Sequence, residues 1–291
     1  LETPIPDAPP NAEQIEYWNG AVGLRWLTYN DWLDERTAAY GRAAFAAAAP
    51  RPGEAVLDIG CGAGATTFEL ARAVGRDGSA TGIDISAPLL GRARERAAAL
   101  GLAVEFLEAD ASRPPFAPQR FDLLFSRFGV MFFDDPVAAF AELRKTLKPG
   151  GRIAFACWQE PQLNDWYELP LAAIAHLGER APVDTRQPGP FAFSDPGYTR
   201  EVLTAAGFAQ IELAPFATPF YLGRGATREA MADDAMEQVF RVGPVARLLE
   251  GRGEELNAAA RDAIRVALLQ LADDDGLEVG GAIWVVTARA G

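Results

Sequence analysis

The residues best placed to do chemistry are acids and glycines in the first half of the chain. Asp58-Ile-Gly60-Cys61-Gly62-Ala63-Gly64 links a short apolar run at 55–59 to a helical pattern at 65–74. Glycines at alternate positions let a backbone turn sharply and let a ligand touch it, because a Cβ would collide. The amino end of the following helix adds free N–H groups for an electron-rich ligand group. Asp84 ends the next apolar run, where a carboxylate can accept hydrogen bonds from both hydroxyls of a ribose. Asp110 follows the third run and is placed to accept from an adenine amino group. A turn built for NAD has the spacing Gly-x-Gly-x-x-Gly. Here the third glycine comes one residue early, and an acid precedes the first.

These residues need elements to hold them, and the hydrophobic pattern supplies them. Apolar runs at 55–59, 79–83, 103–107, 121–126 and 152–158 are too short for helices and read as buried strands. Helical patterns separate them. One runs over 65–74 and stops at Gly75. A second is capped by Ser86, carries Pro88 in its first turn and ends before Gly101. A third is capped by Asp135, opens at Pro136 and runs to Leu147. Strands alternating with helices at this spacing predict βαβ units and a parallel sheet covered on both faces. Further on, a helix at 199–206, a sixth strand at 209–214, helices at 227–250 and 254–272, and a last strand at 282–288 are expected.

Four regions follow from this pattern. Residues 1–49 read as an arm, with Pro4, Pro6, Pro9 and Pro10, then a helical cap interrupted at Gly20 and Gly23 and crowded with Trp18, Trp26, Tyr29 and Trp32. Residues 50–158 form the ligand-binding core. Residues 159–250 read as a lid or substrate region that includes strand six, because prolines at 161, 170, 182, 188, 190 and 196 leave room only for a short helix at 167–177. Residues 251–291 return to the core as a final helix and strand.

Composition narrows the function. The 291 residues carry 27 Lys and Arg against 40 Asp and Glu, a formal net charge of −13. A surface this acidic opposes binding to nucleic acid or to an anionic membrane. Two cysteines, Cys61 and Cys157, and one histidine, His176, exclude a disulfide framework and a multi-histidine metal centre. No metal is expected. With no signal-like start and no apolar run of membrane-spanning length, a cytoplasmic location is expected.

At this point the sequence resembles the class I S-adenosylmethionine-dependent methyltransferases. The resemblance rests on Val56-Leu-Asp-Ile-Gly-Cys-Gly-Ala-Gly64, Gly82-Ile-Asp-Ile-Ser86, Glu108-Ala-Asp-Ala111, Phe121-Asp-Leu-Leu-Phe-Ser126 and Leu147-Lys-Pro-Gly-Gly-Arg152, in the family's order and spacing. It implies a Rossmann-like three-layer sandwich with a seven-stranded, mostly parallel sheet and an antiparallel last strand. It implies S-adenosyl-L-methionine as cofactor and S-adenosyl-L-homocysteine as product. Gly60, Gly62 and Gly64 would face the methionyl part, oriented by Asp58. Asp84 would take the ribose, Ile85 the adenine face, and Asp110 with the Ala111 amide the adenine edge. The backbone around Ser126 would meet the methionine ammonium.

The end of strand four, Ser126 to Phe133, is where the family meets its acceptor. It lacks the Asn or Asp, Pro-Pro and aromatic of amino-methylating nucleic-acid enzymes. It also lacks the acid of metal-dependent catechol-type members, and two cysteines cannot supply the arsenic-methylating set. Its apolar text suggests a small organic acceptor in a greasy pocket, with Trp26, Arg127, Phe128, Trp158 and Trp166 as pocket or cover residues. Arg127 would hold an acceptor carboxylate or pair with an acid of the fold, the pair being favoured. His176 is the other candidate for a catalytic role. The rival readings are an NAD(P)-dependent oxidoreductase, which the glycine spacing opposes, and a cofactor-binding protein without turnover. Oligomeric state is not legible.

Overall fold

The computed structural model describes residues 11–178, 182–249, 251–274 and 276–291. The expected arm at Pro4, Pro6, Pro9 and Pro10 lies outside the described residues, as does Asp275.

Seven strands form one sheet among the described residues, in the order β3-β2-β1-β4-β5-β7-β6. They are β1 (Ala55–Ile59), β2 (Ser79–Asp84), β3 (Glu105–Glu108), β4 (Phe121–Arg127), β5 (Leu147–Trp158), β6 (Phe208–Gly223) and β7 (Leu277–Ala290). The pairs β1–β2, β2–β3, β1–β4 and β4–β5 are parallel, and β7 runs antiparallel to both β5 and β6. Four of the five residues of β1 are buried, which is why its apolar run does not alternate. Helices α4 (Ala65–Val74), α5 (Ala87–Leu100), α6 (Pro136–Lys145) and α8 (Pro196–Ala205) cover the sheet with α3 (Asn30–Ala48). Phe121, Phe125, Phe140, Phe155 and Phe193 fill the layers between. Ahead of α3 stand α1 (Ala12–Asn19) and α2 (Ala21–Thr28), divided at Gly20.

A second core gathers α7 (Asp165–Ala173), α9 (Arg228–Arg241) and α11 (Glu254–Leu271) against the start of β7, through Leu171, Ala235, Ile264 and Leu277. No helix of the described residues is long and apolar enough to cross a membrane.

Three expectations change. Strand six extends well beyond 209–214, to Gly223, although it contains Pro215 and Pro219. Proline lacks a donor, and β6 tolerates it because it is the edge of the sheet. The helix expected at 227–250 divides into α9 and α10 (Pro244–Leu248), because Pro244 cannot continue the hydrogen-bond ladder. Finally, the proline-rich stretch after β5, expected as part of a lid or substrate region, is packed on the sheet. Phe191 and Phe193 are buried in the main core, and the indole N–H of Trp284 donates to the Ser194 carbonyl at 2.8 Å.

One arginine fixes α3 to the sheet. Arg152 at β5 donates to the Ala48 and Ala49 carbonyls at 2.7 Å each and to both oxygens of Glu54 at 2.8 Å each. Those hydrogen bonds hold the Glu54 carboxyl below the usual carboxylate range despite partial burial. The pair therefore stabilises the fold above the unfolded carboxyl pKa, and that stability is lost as pH falls through the folded one. Arg152→Met takes the side-chain donor from two carbonyls and leaves the Glu54 carboxylate only the Arg51 N–H, and should cost about 2–4 kcal/mol by chemical denaturation at neutral pH. A loss below about 0.5 kcal/mol would show that the clamp is not structural.

Candidate active site

The sheet order reverses between β1 and β4, and the site opens at the carboxyl ends of these strands. Here the turn after β1 meets the loop after β4 backbone to backbone. A Cβ on Gly60, whose φ is +65°, would lie 2.6 Å from the Gly129 Cα. Gly62, at φ +53°, faces open space instead, with Leu89 Cδ1 4.0 Å from where its Cβ would be. The Gly62 N–H donates to Asp84 Oδ2 and the Ser86 N–H to Oδ1, both at 2.8 Å, which fixes the carboxylate at the mouth. Burial raises the Asp84 carboxyl from its ordinary value, and the backbone donors oppose that shift. Each of its oxygens keeps a lone pair for a ligand hydroxyl.

Asp58 lies beneath the turn, 1% exposed. Its Oδ2 accepts from Thr66 Oγ1 at 2.7 Å and Thr67 Oγ1 at 2.6 Å, and its Oδ1 is buried with no partner among the described residues. Burial pushes the carboxyl up to about 6, against the two threonine hydroxyls and the charge of Arg127. Cys61 is buried beside these acids, and burial lifts its thiol well above the ordinary value, so it is not a thiolate nucleophile.

Asp110 is already engaged. Its Oδ1 accepts from Asn11 Nδ2 and from the Ser112 N–H, both at 2.8 Å. Asn11 also clasps Asp134, donating its N–H to Oδ2 at 2.6 Å and accepting the Asp134 N–H at 2.9 Å. Further along α1, Asn19 Nδ2 donates to the Ile85 carbonyl at 2.7 Å, and Ser86 Oγ donates to the Trp18 carbonyl at 2.9 Å. Trp18 packs edge-on against Trp26 and Phe132. The first helices thus lie across the ends of β2, β3 and β4.

Aromatic residues form the other half of a cavity of about 280 Å³. Phe128 and Trp158 are stacked at 4.4 Å, with Tyr40 edge-on to both. Phe128 holds φ +66°, a conformation uncommon outside glycine and found at ligand-binding ends. The Tyr40 hydroxyl donates to the Thr218 carbonyl at 2.7 Å, and burial pushes its pKa upward. Arg127 pairs with a fold acid, as favoured above, and that acid is Asp34: Nη2 to Oδ1 is 2.6 Å. Asp34 Oδ2 pairs with Arg96 at 3.0 Å, and Arg96 also donates to the Ala63 carbonyl at 3.1 Å.

Of the residues singled out from sequence, Gly60, Gly62, Asp84, Ile85, Asp110 and Ala111 line this cavity, as do Trp26, Arg127, Phe128, Trp158 and Trp166. Three of the expected cofactor-binding residues lie off its wall. Asp58 sits under the turn. Gly64 caps α4 with Phe68 and Phe106 packed on it. The buried Ser126 Oγ donates to the Ile59 carbonyl at 2.8 Å and accepts from the Gly129 N–H at 3.1 Å. His176 is exposed in a single turn after α7 and does not line the cavity, so a catalytic base there has no structural support. Among the described residues, no group of three His, Cys, Asp or Glu side chains could hold a metal. Sequence reasoning missed Asn11, Asp34, Arg36 and Gln238. A signal existed for one: Trp32, Arg36 and Tyr40 follow each other at helical spacing, an arginine inside a buried aromatic stripe.

Residues 56–151 match a family model described as a methyltransferase domain. Nocamycin O-methyltransferase of Saccharothrix syringae is 34% identical over 172 residues, covering 56% of this chain and 61% of the relative, so the match spans about three-fifths of that enzyme. A 2-phytyl-1,4-naphtoquinone methyltransferase of Thermosynechococcus vestitus is 33% identical over 171 residues, covering 56% of this chain and 76% of the relative. The YcgJ protein of Bacillus subtilis shares the fold with a TM-score of 0.53 at 18% identity, over 86% of this chain and 97% of that one.

Burial of Asp58 sets a pH dependence. A carboxyl whose pKa is raised on folding opposes the fold once it ionises, so stability should fall as pH rises from about 4 towards 6. Asp58→Asn should flatten this part of the profile and raise stability at pH 7.5 by roughly 1–3 kcal/mol. A decline between those pH values as steep in the variant as in the wild type would show that Asp58 is not the titrating group.

Proposed function

The chain belongs to the class I S-adenosylmethionine-dependent methyltransferases, and from that premise we propose that it transfers a methyl group from S-adenosyl-L-methionine to a small organic acceptor. One observation carries the cofactor reading. Gly62, with its open face, shares the cavity wall with Asp84 and Asp110, and Asp58 keeps an unpartnered oxygen beneath the turn. Such a cradle suits a ligand with a sulfonium and an ammonium. The pyrophosphate of a nicotinamide dinucleotide, set at the glycine turn, would place negative charge over Asp58, which argues with the glycine spacing against the oxidoreductase reading.

In this reading Asp84 accepts from the ribose hydroxyls, Ile85 lies on the adenine face, and Asp110 with the Ala111 amide takes the adenine edge. The turn from Gly60 to Gly64 and the backbone from Ser126 to Gly129 enclose the methionyl end, with Asp58 orienting its ammonium from below. The cofactor, when bound, supplies a methyl on cationic sulfur, which passes to an acceptor lone pair while the S–C electron pair stays on sulfur. Phe128, Trp158, Trp166 and Tyr40 exclude water and align the acceptor. Asp34 is occupied by two arginines and Tyr40 by a carbonyl, so the described residues of this half offer no free base. The acceptor therefore loses its proton before transfer or needs to lose none. The names of the relatives, an O-methyltransferase of nocamycin and a quinone methyltransferase, agree with a small-molecule acceptor. The helices α1 and α2 serve as the cover, released and re-formed at Asn11.

Calorimetry tests the cofactor: S-adenosylhomocysteine should bind and NAD should not. Asp84→Ala should weaken S-adenosylhomocysteine by about 1–3 kcal/mol; an unchanged dissociation constant in a folded variant excludes Asp84 as the ribose acid. Labelled cofactor tested over a panel of small acceptors separates an enzyme from a protein that only binds. The cover is read by hydrogen exchange. S-adenosylhomocysteine should slow exchange across α1 and α2, and Asn11→Ala should reduce that protection. Protection confined to the glycine turn and the segments beside Asp84 and Asp110 would refute the cover.

A further inference from the structure

We propose that Arg36, with Trp32 and Gln238, is a carboxylate-anchoring subsite, and that the acceptor is a flat, elongated aromatic acid. The acid group is held at this subsite while the nucleophile at the other end of the ring system points to the glycine turn. The proposal rests on the methyltransferase reading and names the acceptor class for it.

All three residues line the cavity. The Arg36 side chain is 6% exposed, yet its partners are poor. Its Nη2 donates to the Leu222 carbonyl at 3.5 Å, and the nearest carboxylate oxygen, on the more exposed Asp234, is 3.7 Å away. Its Nε has no partner among the described residues. The guanidinium lies over the Trp32 ring at 3.7 Å, and the buried indole N–H of Trp32 is likewise unpartnered, as is the side-chain oxygen of Gln238. Burial lowers the Arg36 pKa to about 10, so it remains a cation at neutral pH.

An arginine that serves only the fold looks different in this same molecule, even when less buried. Arg152 makes four hydrogen bonds of 2.7–2.8 Å. Arg127, the other cation on the cavity wall, has a carboxylate at 2.6 Å. Burying a guanidinium is costly unless its donors are used. Arg36 and Trp32 offer two unused donors side by side, and the Gln238 amide can turn to add a third. An oxyanion uses all of them. A phosphate would bring a second negative charge to a single cation already near Asp234, so a carboxylate fits better.

Position assigns this group to anchoring. Leu222 lies two residues past Phe220, which packs on Tyr40, which packs on Phe128, which adjoins Gly129 at the glycine turn. Arg36 thus borders the aromatic wall one helical turn from Tyr40 on α3, while the glycine turn adjoins the same wall through Phe128 and Gly129. A flat ring system fits along that wall.

The test uses a hydroxynaphthoate with hydroxyl and carboxylate at opposite ends of the ring system, and its carboxamide. Both are titrated by calorimetry into protein saturated with S-adenosylhomocysteine. The acid should bind about tenfold more tightly than the amide, the scale of one charge-assisted contact. Arg36→Met should abolish that preference and leave the S-adenosylhomocysteine affinity unchanged. Trp32→Phe, which keeps a ring and removes the N–H, should reduce the preference about threefold. Should Arg36→Met fail to fold, the wild type and Trp32→Phe decide. Equal binding of acid and amide, a preference that survives either substitution, or no binding of either probe overturns the subsite. Failure of S-adenosylhomocysteine itself to bind overturns the underlying reading instead.

Discussion

The contact between Gly60 and Gly129 is the constraint on which the site depends. The chain builds the sheet outward in one direction through β1, β2 and β3, then returns to the centre and builds the other way through β4 and β5. Crossovers leave in opposite directions at that point, so nothing from the βαβ units fills the crevice between the ends of β1 and β4. Only a pair of residues without Cβ atoms lets the two loops close on each other while Gly62 stays open to a ligand. The acids at 58, 84 and 110 acquire meaning from that geometry, since each lies near the carboxyl end of one of the three strands on the β1 side of the crevice.

A second division follows from α3. Clamped by Arg152 at its carboxyl end, it packs across β4, β5, β6 and β7. Its side chains serve both the acidic and the aromatic half of the cavity. Asp34 ties Arg127 and Arg96 together beside the glycine turn, while Tyr40 completes the aromatic wall with Phe128 and Trp158. In the proposed function the two halves take two different ligands. Negative charge held in a low dielectric favours a cationic cofactor, and stacked rings favour a flat acceptor. Burial of Asp58 costs stability, and a protein that retains such a group spends fold stability on its site.

The Proposed cover belongs to the same scheme. Asn11 occupies the Asp110 carboxylate that the adenine edge would share, so closure of the first helices and filling of the site meet at one residue. The region after β5 contributes differently from the sequence reading. Trp166 reaches the cavity, but Phe191 and Phe193 are core, because a buried aromatic ring holds its backbone in place whatever the surrounding prolines.

What the sequence determined by itself is local. Each strand of the first half reads as a short apolar run, and the residue that follows it is fixed to a strand end by a few covalent bonds. Asp58, the glycines, Asp84 and Asp110 were therefore legible with their positions. The long β6 was not, because Pro215 and Pro219 argue against a strand until its place at the sheet edge is known. Apart from the aromatic spacing around Arg36, nothing in the sequence marked Asn11, Asp34, Arg36 or Gln238, and the tertiary structure decided their places. They come from α3, α9 and the residue ahead of α1, and no periodicity tells which face of such a helix will meet a cavity. Whether a charged residue is a solvated surface group or an unpaired donor in a binding wall depends on what packs around it. That environment exists only once segments distant in the chain have come together.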